Sequence, residues 1–322
     1  MGLLVDGHWR DQWYDTKSTG GRFVRKDAQF RNRITADGSS GFKAESGRYH
    51  LYVSYACPWA HRTLIYRRLK GLTDHISVSV VNPLMHEHGW TFEPGDRVIP
   101  DPINHALYLY EVYTAAKPDY SGRVTVPVLW DKETGTIVNN ESSEIIRFFD
   151  REFDGDGASG PRYCPPDLET DIDDVNAFVY DSINNGVYRA GFATTQEAYE
   201  EAVTALFAAL DQIELRLSGN RYLVGETLTE ADWRLFTTLL RFDPVYVGHF
   251  KCNIRRLVDY PNLWPYTREL FQVPGVAETV HMDHIKEHYY RSHLSINPTG
   301  VVPLGPEIDL TEPHGRESIG QP

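Results

Sequence analysis

The stretch that most constrains the fold lies between Tyr49 and Val81. Tyr49-His50-Leu51-Tyr52-Val53-Ser54 reads as a strand. Leu64, Ile65, Arg68 and Leu69 then recur at helical spacing up to a stop at Gly71. Ile76-Ser77-Val78-Ser79-Val80-Val81 alternates as a strand does. Strand, helix, strand over so short a span is a βαβ unit, and its two strands run parallel. The turn into the helix is Tyr55-Ala56-Cys57-Pro58-Trp59-Ala60. Pro58 stands in the first helical turn, where its missing N–H costs nothing. Cys57, just ahead of it, faces unpaired amides and the positive helix end, which favour thiolate over thiol. This marks Cys57 as a nucleophile. The position of a second cysteine in a Cys-x-x-Cys pair is Ala60, so an oxidised Cys57 must be resolved by an outside thiol. The bland alternative, an inert cysteine, suits Cys164 in a loop and Cys252 beside Lys251.

The rest of the chain arranges itself around that unit. Residues 1–46 are polar and weakly periodic, an arm that packs on something else. Residues 83–121 break the pattern with Pro, Gly, His and aromatics, an insert with a short helix near 104–116. Regularity returns as a strand at Val124-Thr125-Val126-Pro127-Val128-Leu129-Trp130, where Pro127 implies an edge, a strand start or a cis peptide. A turn over 131–136 leads into Ile137-Val138, and a helix follows over 141–149. Asn139-Asn140-Glu141-Ser142-Ser143 opens that helix, where Ser142 and the first amides either hold a carboxylate or simply cap. Asp154 to Pro166 is Gly/Pro-rich; its Asp-Gly-Asp-Gly lacks the later ligands and closing Glu of a calcium loop and reads as a linker. Beyond it the pattern is helical, with Tyr199, Val203, Leu206, Leu210, Ile213 and Leu217 on one stripe. Thr229 and Asp232 form a capping box, with Leu228 and Trp233 as its staple. The organisation expected is therefore an arm at 1–46, an α/β domain at 47–153 with the insert 83–121, a linker at 154–166, an all-helical domain at 167–295 and a tail at 296–322.

Composition closes off other classes. A chain of 322 residues suits two domains. Its net charge of −13 opposes a phosphate backbone, so no nucleic-acid partner is expected. No apolar run approaches the ~18 residues of a membrane helix, and Asp6 and Arg10 interrupt any signal core. Three widely spaced cysteines give neither a disulfide framework nor a zinc knuckle, which points to a reducing cytosol. His281, His284 and His288 share one helix face and His86-Glu87-His88 lies in the insert. Neither has matching carboxylate or thiol ligands, so hydrogen-bonding faces rather than metal sites are expected.

The turn Ser-Tyr-Ala-Cys-Pro-Trp-Ala, Thr-Val-Pro-Val-Leu, Asn-Glu-Ser-Ser and Thr229-x-x-Asp232 together resemble a cytosolic glutathione transferase. The blocks Gly186-Val187-Tyr188-Arg189-Ala190-Gly191-Phe192-Ala193 and His288-Tyr289-Tyr290-Arg291-Ser292-His293, with Ile296-Asn297-Pro298-Thr299-Gly300, are similar to its Xi class, the glutathionyl-hydroquinone reductases. The resemblance runs from about Phe42 to the end. It implies an α/β thioredoxin-like N-terminal domain followed by an all-α glutathione-transferase C-terminal domain, and a homodimer. It makes Cys57 the nucleophile and Tyr188 the proton donor, with Tyr246 and Tyr289 lining the substrate pocket. Trp90, Arg123, Val124, Thr125, Val126, Glu141 and Ser142 would bind the glutathionyl part. It implies no permanently bound cofactor; glutathione or a related small thiol is the cosubstrate. An omega-like thiol transferase or dehydroascorbate reductase would share Cys57 but would not need the tyrosines. A non-catalytic module of this fold usually lacks the nucleophile.

Overall fold

A computed structural model describes residues 2–319. The first residue of the arm and the last three of the tail lie outside the described residues. In chain order the first elements are β1 (Leu3–Val5), β2 (His8–Arg10), β3 (Tyr49–Val53), α1 (Pro58–Leu69), β4 (Ser77–Val80), α2 (Leu109–Ala116), β5 (Gly122–Arg123), β6 (Val128–Asp131), β7 (Thr136–Asn139) and α3 (Ser142–Arg151). Then come α4 (Glu169–Val179), α5 (Gly186–Gly191), α6 (Gln196–Gly219), α7 (Glu230–Leu239), α8 (Leu263–Phe271) and α9 (Met282–Ser292).

These elements group into two compact units that do not follow chain order. The first takes the chain up to Trp13, Lys26–Pro161 and Thr279–His293; the second takes Tyr14–Arg25, Arg162–Glu278 and the chain from Leu294 on. The arm is thus shared between units. The segment Thr279–His293, placed by the sequence reading in a helical domain at 167–295, belongs instead to the unit that holds Cys57. Hydrogen bonds explain this. The His284 and His288 rings meet the carbonyls of Asp96 and Pro83 in the insert, each at 2.8 Å, and Arg97 pairs with Asp283 at 2.9 Å. The histidine face that mimics a metal site is spent on anchoring α9.

In the first unit the main sheet runs β4-β3-β6-β7. β3 and β4 are parallel, as the βαβ reading requires, while β6 is antiparallel to both β3 and β7. All five residues of β3 are buried, so it is the central strand of the core. α1 and α3 pack against each other. A second sheet, β2-β1-β5, ties the start of the arm to Gly122–Arg123. Its strands of two and three residues are too short to carry a readable alternation in the sequence.

Two expected elements are shorter than their patterns. The strand read from Val124 begins only at Val128, because both backbone polar groups of Thr125 are taken by the Tyr113 hydroxyl and Pro127 has no N–H. The Val126–Pro127 peptide is cis, one of the three settings expected. The helix read near 104–116 begins at Leu109, because the Asp101 carboxylate accepts the amides of Ile103, Asn104 and Ala106 and holds them as a loop.

The second unit is helical. α4 runs through a π-helical turn, Tyr180–Asn184, to α5, which packs on the long α6. α7 opens on the expected capping box: Asp232 accepts the Thr229 N–H at 2.7 Å. Asp232 is fully buried, and burial pushes its carboxyl up to about 6. The tail is irregular as expected, yet Arg316 is buried, donating to Glu269 and to the carbonyls of Asn220 and Arg221.

Candidate active site

Cys57 is the N-cap of α1, with extended backbone (φ −77°, ψ 122°) and Pro58 immediately inside the helix. Its amide donates to the Ser54 carbonyl at 3.2 Å and its carbonyl accepts from His61 at 3.0 Å, so turn and helix fix the residue from both sides. The half-buried thiol lies 3.7 Å from the Val126 carbonyl, a weak S–H donor contact. Among the described residues the Val126 N–H meets no acceptor. Cys164 and Cys252 are buried, and burial pushes the Cys252 thiol up, which makes it an inert group.

Glu141 is the N-cap of α3, accepting the Ser143 amide at 3.0 Å and its hydroxyl at 2.9 Å. Ser142 is buried, and the guanidinium of Arg62 on α1 reaches its hydroxyl at 3.4 Å. Arg62 stacks over Trp59 with 4.6 Å to the ring centroid. α1 and the head of α3 are therefore joined beside Cys57 in sequence. In the sequence Arg62 reads as one more charged helix residue.

Trp90 is 5% exposed and stacks on His288, centroids 4.7 Å apart and planes 25° off parallel. His288 also meets Tyr289 edge-on at 5.2 Å. Tyr289 is buried, whereas its neighbour Tyr290 is half-buried. Arg123 donates to the carbonyls of Gln12 and Trp13, so its guanidinium holds the arm. Val124 and Val126 are buried, and Thr125 between them bonds to Tyr113. Cys57, Trp90, residues 123–126, Glu141, Ser142 and Tyr289 thus all belong to the first unit.

Tyr188 and Tyr246 belong to the second. Tyr188 is on α5, just past one π-helical turn, and Tyr246 ends another, Phe242–Tyr246. Such turns shift helical phase by a residue and so re-aim the side chains that follow. The two rings stand 6.2 Å apart at 61°. Phe250 stacks on Tyr246 at 5.4 Å and meets Tyr188 edge-on at 5.5 Å. Tyr246 is fully buried; Tyr188 is half-buried.

A half-buried thiol at a helix start in an α/β unit, followed by a helical unit, is the build of a glutathione transferase, and the comparisons agree. Family models for the glutathione S-transferase N-terminal and C-terminal domains match residues 56–152 and 196–269. The glutathionyl-hydroquinone reductase YqjG of Escherichia coli (strain K12) is 59% identical over 98% of this chain and 99% of its own. Its glutathione-bound structure superposes with a TM-score of 0.91. The glutathionyl-hydroquinone reductase PcpF of Sphingobium chlorophenolicum is 60% identical over 96% of this chain and 98% of its own. A Xi class transferase from Natrialba magadii is 51% identical, covers 99% and 97% of the two chains and has a TM-score of 0.93. The chain belongs to the glutathionyl-hydroquinone reductases, the Xi class of the glutathione transferases.

Proposed function

We propose that this enzyme reduces glutathionyl-hydroquinones to hydroquinones at the expense of glutathione. The observation that carries the reading is the Cys57 thiol at the start of α1, beside the Val126 carbonyl, with Ala60 where a resolving cysteine would stand. A sulfur on an aromatic ring resists direct displacement. Tyr188 first donates a proton to the ring carbon that bears sulfur while the neighbouring ring hydroxyl gives up its own, giving the keto form; that oxygen takes a proton back when the ring rearomatises. The Cys57 thiolate then attacks that sulfur, the C–S bond breaks, and its electron pair rearomatises the ring to hydroquinone. The product on the enzyme is a Cys57–glutathione disulfide. A second glutathione thiolate attacks it, releasing oxidised glutathione and restoring Cys57. In balance, one glutathionyl-hydroquinone and one glutathione give one hydroquinone and one glutathione disulfide.

The thiol's peptide-like part pairs with the Val126 backbone. The Ser142 amide and hydroxyl at the head of α3 suit a carboxylate, and the Glu141 carboxylate suits an ammonium. A γ-glutamyl group carries both charges on one carbon. Trp90 and residues 123–125 complete the glutathionyl site, and Tyr246 and Tyr289 supply aromatic walls for a flat substrate. The assay is glutathione-dependent release of hydroquinone from a glutathionyl-hydroquinone, run beside turnover of hydroxyethyl disulfide. Hydroquinone release is expected. Disulfide turnover without it would make the chain an omega-like thiol transferase.

Among the described residues no helix is long and apolar enough to cross a membrane. The reading makes the enzyme a cytosolic homodimer; light scattering that gave the single-chain 36.8 kDa would overturn the dimer.

A further inference from the structure

We propose that Tyr113, in the insert, is a positioning residue that holds two separate segments of the thiol site in register through one hydroxyl. The inference rests on reading Val126 and Glu141 as glutathione contacts. Tyr113 is on α2 and is fully buried. Its hydroxyl donates to the Thr125 carbonyl at 2.7 Å and accepts the Thr125 N–H at 3.2 Å and the Asn140 side-chain NH₂ at 3.1 Å. One donor and two acceptor sites are the full capacity of a phenol, so the group is saturated. Thr125 precedes Val126, and Asn140 precedes Glu141.

The consequence for Val126 follows from peptide geometry. The Thr125 carbonyl and the Val126 N–H belong to one trans peptide, in which they point in opposite directions. Pinning the carbonyl on Tyr113 therefore turns the Val126 N–H away from Tyr113. The Val126 carbonyl, one residue on, meets the Cys57 thiol at 3.7 Å. Tyr113 thus decides which edge of the segment is offered beside Cys57. It also explains why residues 124–127 stay out of the sheet. At the other segment, Asn140 is held from three directions: its side-chain oxygen accepts Phe30 N–H at 3.1 Å, its N–H donates to the Phe30 carbonyl at 3.1 Å, and its NH₂ reaches Tyr113. The start of α3 and the Val126 edge are then tied to one point.

The test is glutathione binding to the reduced full-length protein by calorimetry, for wild type, Tyr113→Phe, Asn140→Asp and Val112→Ala. Tyr113→Phe removes only the hydroxyl and leaves the Thr125 groups without their partner. Asn140→Asp keeps an acceptor for Phe30 but presents the hydroxyl with a second acceptor, which draws its proton from Thr125. Val112→Ala, one residue away and fully buried, loosens the same helix without touching the hydroxyl. We expect Kd for glutathione to rise about tenfold in Tyr113→Phe and in the same direction in Asn140→Asp. Val112→Ala should lower Tm but leave Kd within about twofold. Unchanged binding in Tyr113→Phe, or a loss matched by Val112→Ala at equal Tm, overturns the inference alone. If Tyr113→Phe does not fold, Asn140→Asp decides by the same criterion. Failure of the wild type to bind glutathione overturns the proposed function, and this inference with it.

Discussion

In the first unit the groups proposed for thiol chemistry are held through backbone bonds, although the proposed wall residue Tyr289 is packed by rings there. Cys57 and Glu141 are helix N-caps, and the Val126 edge is set by bonds to its neighbour's peptide. In the second unit Tyr188 and Tyr246 are held by ring packing against Phe192 and Phe250, on helices whose phase is shifted by π turns. The difference matters for what each can do. A nucleophile and a peptide-like ligand need fixed hydrogen-bond directions, which caps and strand edges provide. A flat aromatic substrate needs apolar walls with one polar tip, which clustered tyrosines provide. Damage to the first unit should therefore abolish all thiol chemistry, and damage to the second should be selective.

The largest effect tests the first half of that contrast. Cys57→Ala should lower both hydroquinone release and hydroxyethyl disulfide turnover by roughly 10³ or more, because the two other thiols are buried. Cys164→Ala and Cys252→Ala, both buried, should change stability but leave both activities near wild type. Equal activity in the Cys57 variant would end the mechanism.

Selectivity is the mark of the second. Tyr188→Phe keeps the wall and removes the acid, so hydroquinone release should fall ~10²–10⁴ in turnover with a much smaller change in substrate affinity. Disulfide exchange, which needs no carbon protonation, should fall far less. Side-by-side rates decide it. Equal losses would demote Tyr188 to packing and erase the contrast between the units.

The same contrast governs what the sequence could disclose. Cys57-Pro58, the Thr229–Asp232 box, the apolar run of β3 and the alternation of β4 are local, so each is readable from neighbours along the chain. The tyrosines are not. Tyr188 and Tyr246 are two among 19 tyrosines, and only the family resemblance marks them. Their placement depends on π turns, which break helical periodicity without a residue signature. Tyr113 was hidden for a related reason: in an irregular insert it reads as a core aromatic, and its bonds reach 12 and 27 residues along the chain. The return of α9 to the first unit was equally silent, since the carbonyls of Pro83 and Asp96 that anchor it are backbone groups every residue has.

The smallest predicted effect separates ring packing from helix propensity. α5 begins at Gly186 and ends at Gly191, and neither has positive φ, so alanine suits the backbone at both. A Cβ at Gly186 would sit 3.3 Å from the Cδ1 of Leu206, the movable end of a flexible side chain. A Cβ at Gly191 would sit 2.2 Å from the Phe250 ring, inside any allowed contact. Phe250 cannot swing aside cheaply, because it is stacked on Tyr246 and touches Phe192 at 5.0 Å. Gly186→Ala should therefore be neutral or gain a few tenths of a kcal/mol from propensity. Gly191→Ala should lose about 1–3 kcal/mol in urea unfolding, the usual cost of overpacking. Because the displaced ring supports both tyrosines, hydroquinone release should fall further than disulfide exchange in Gly191→Ala. If the two glycines tolerate alanine equally, ring packing does not hold the second unit's tyrosines, and the division between the units fails at its helical end.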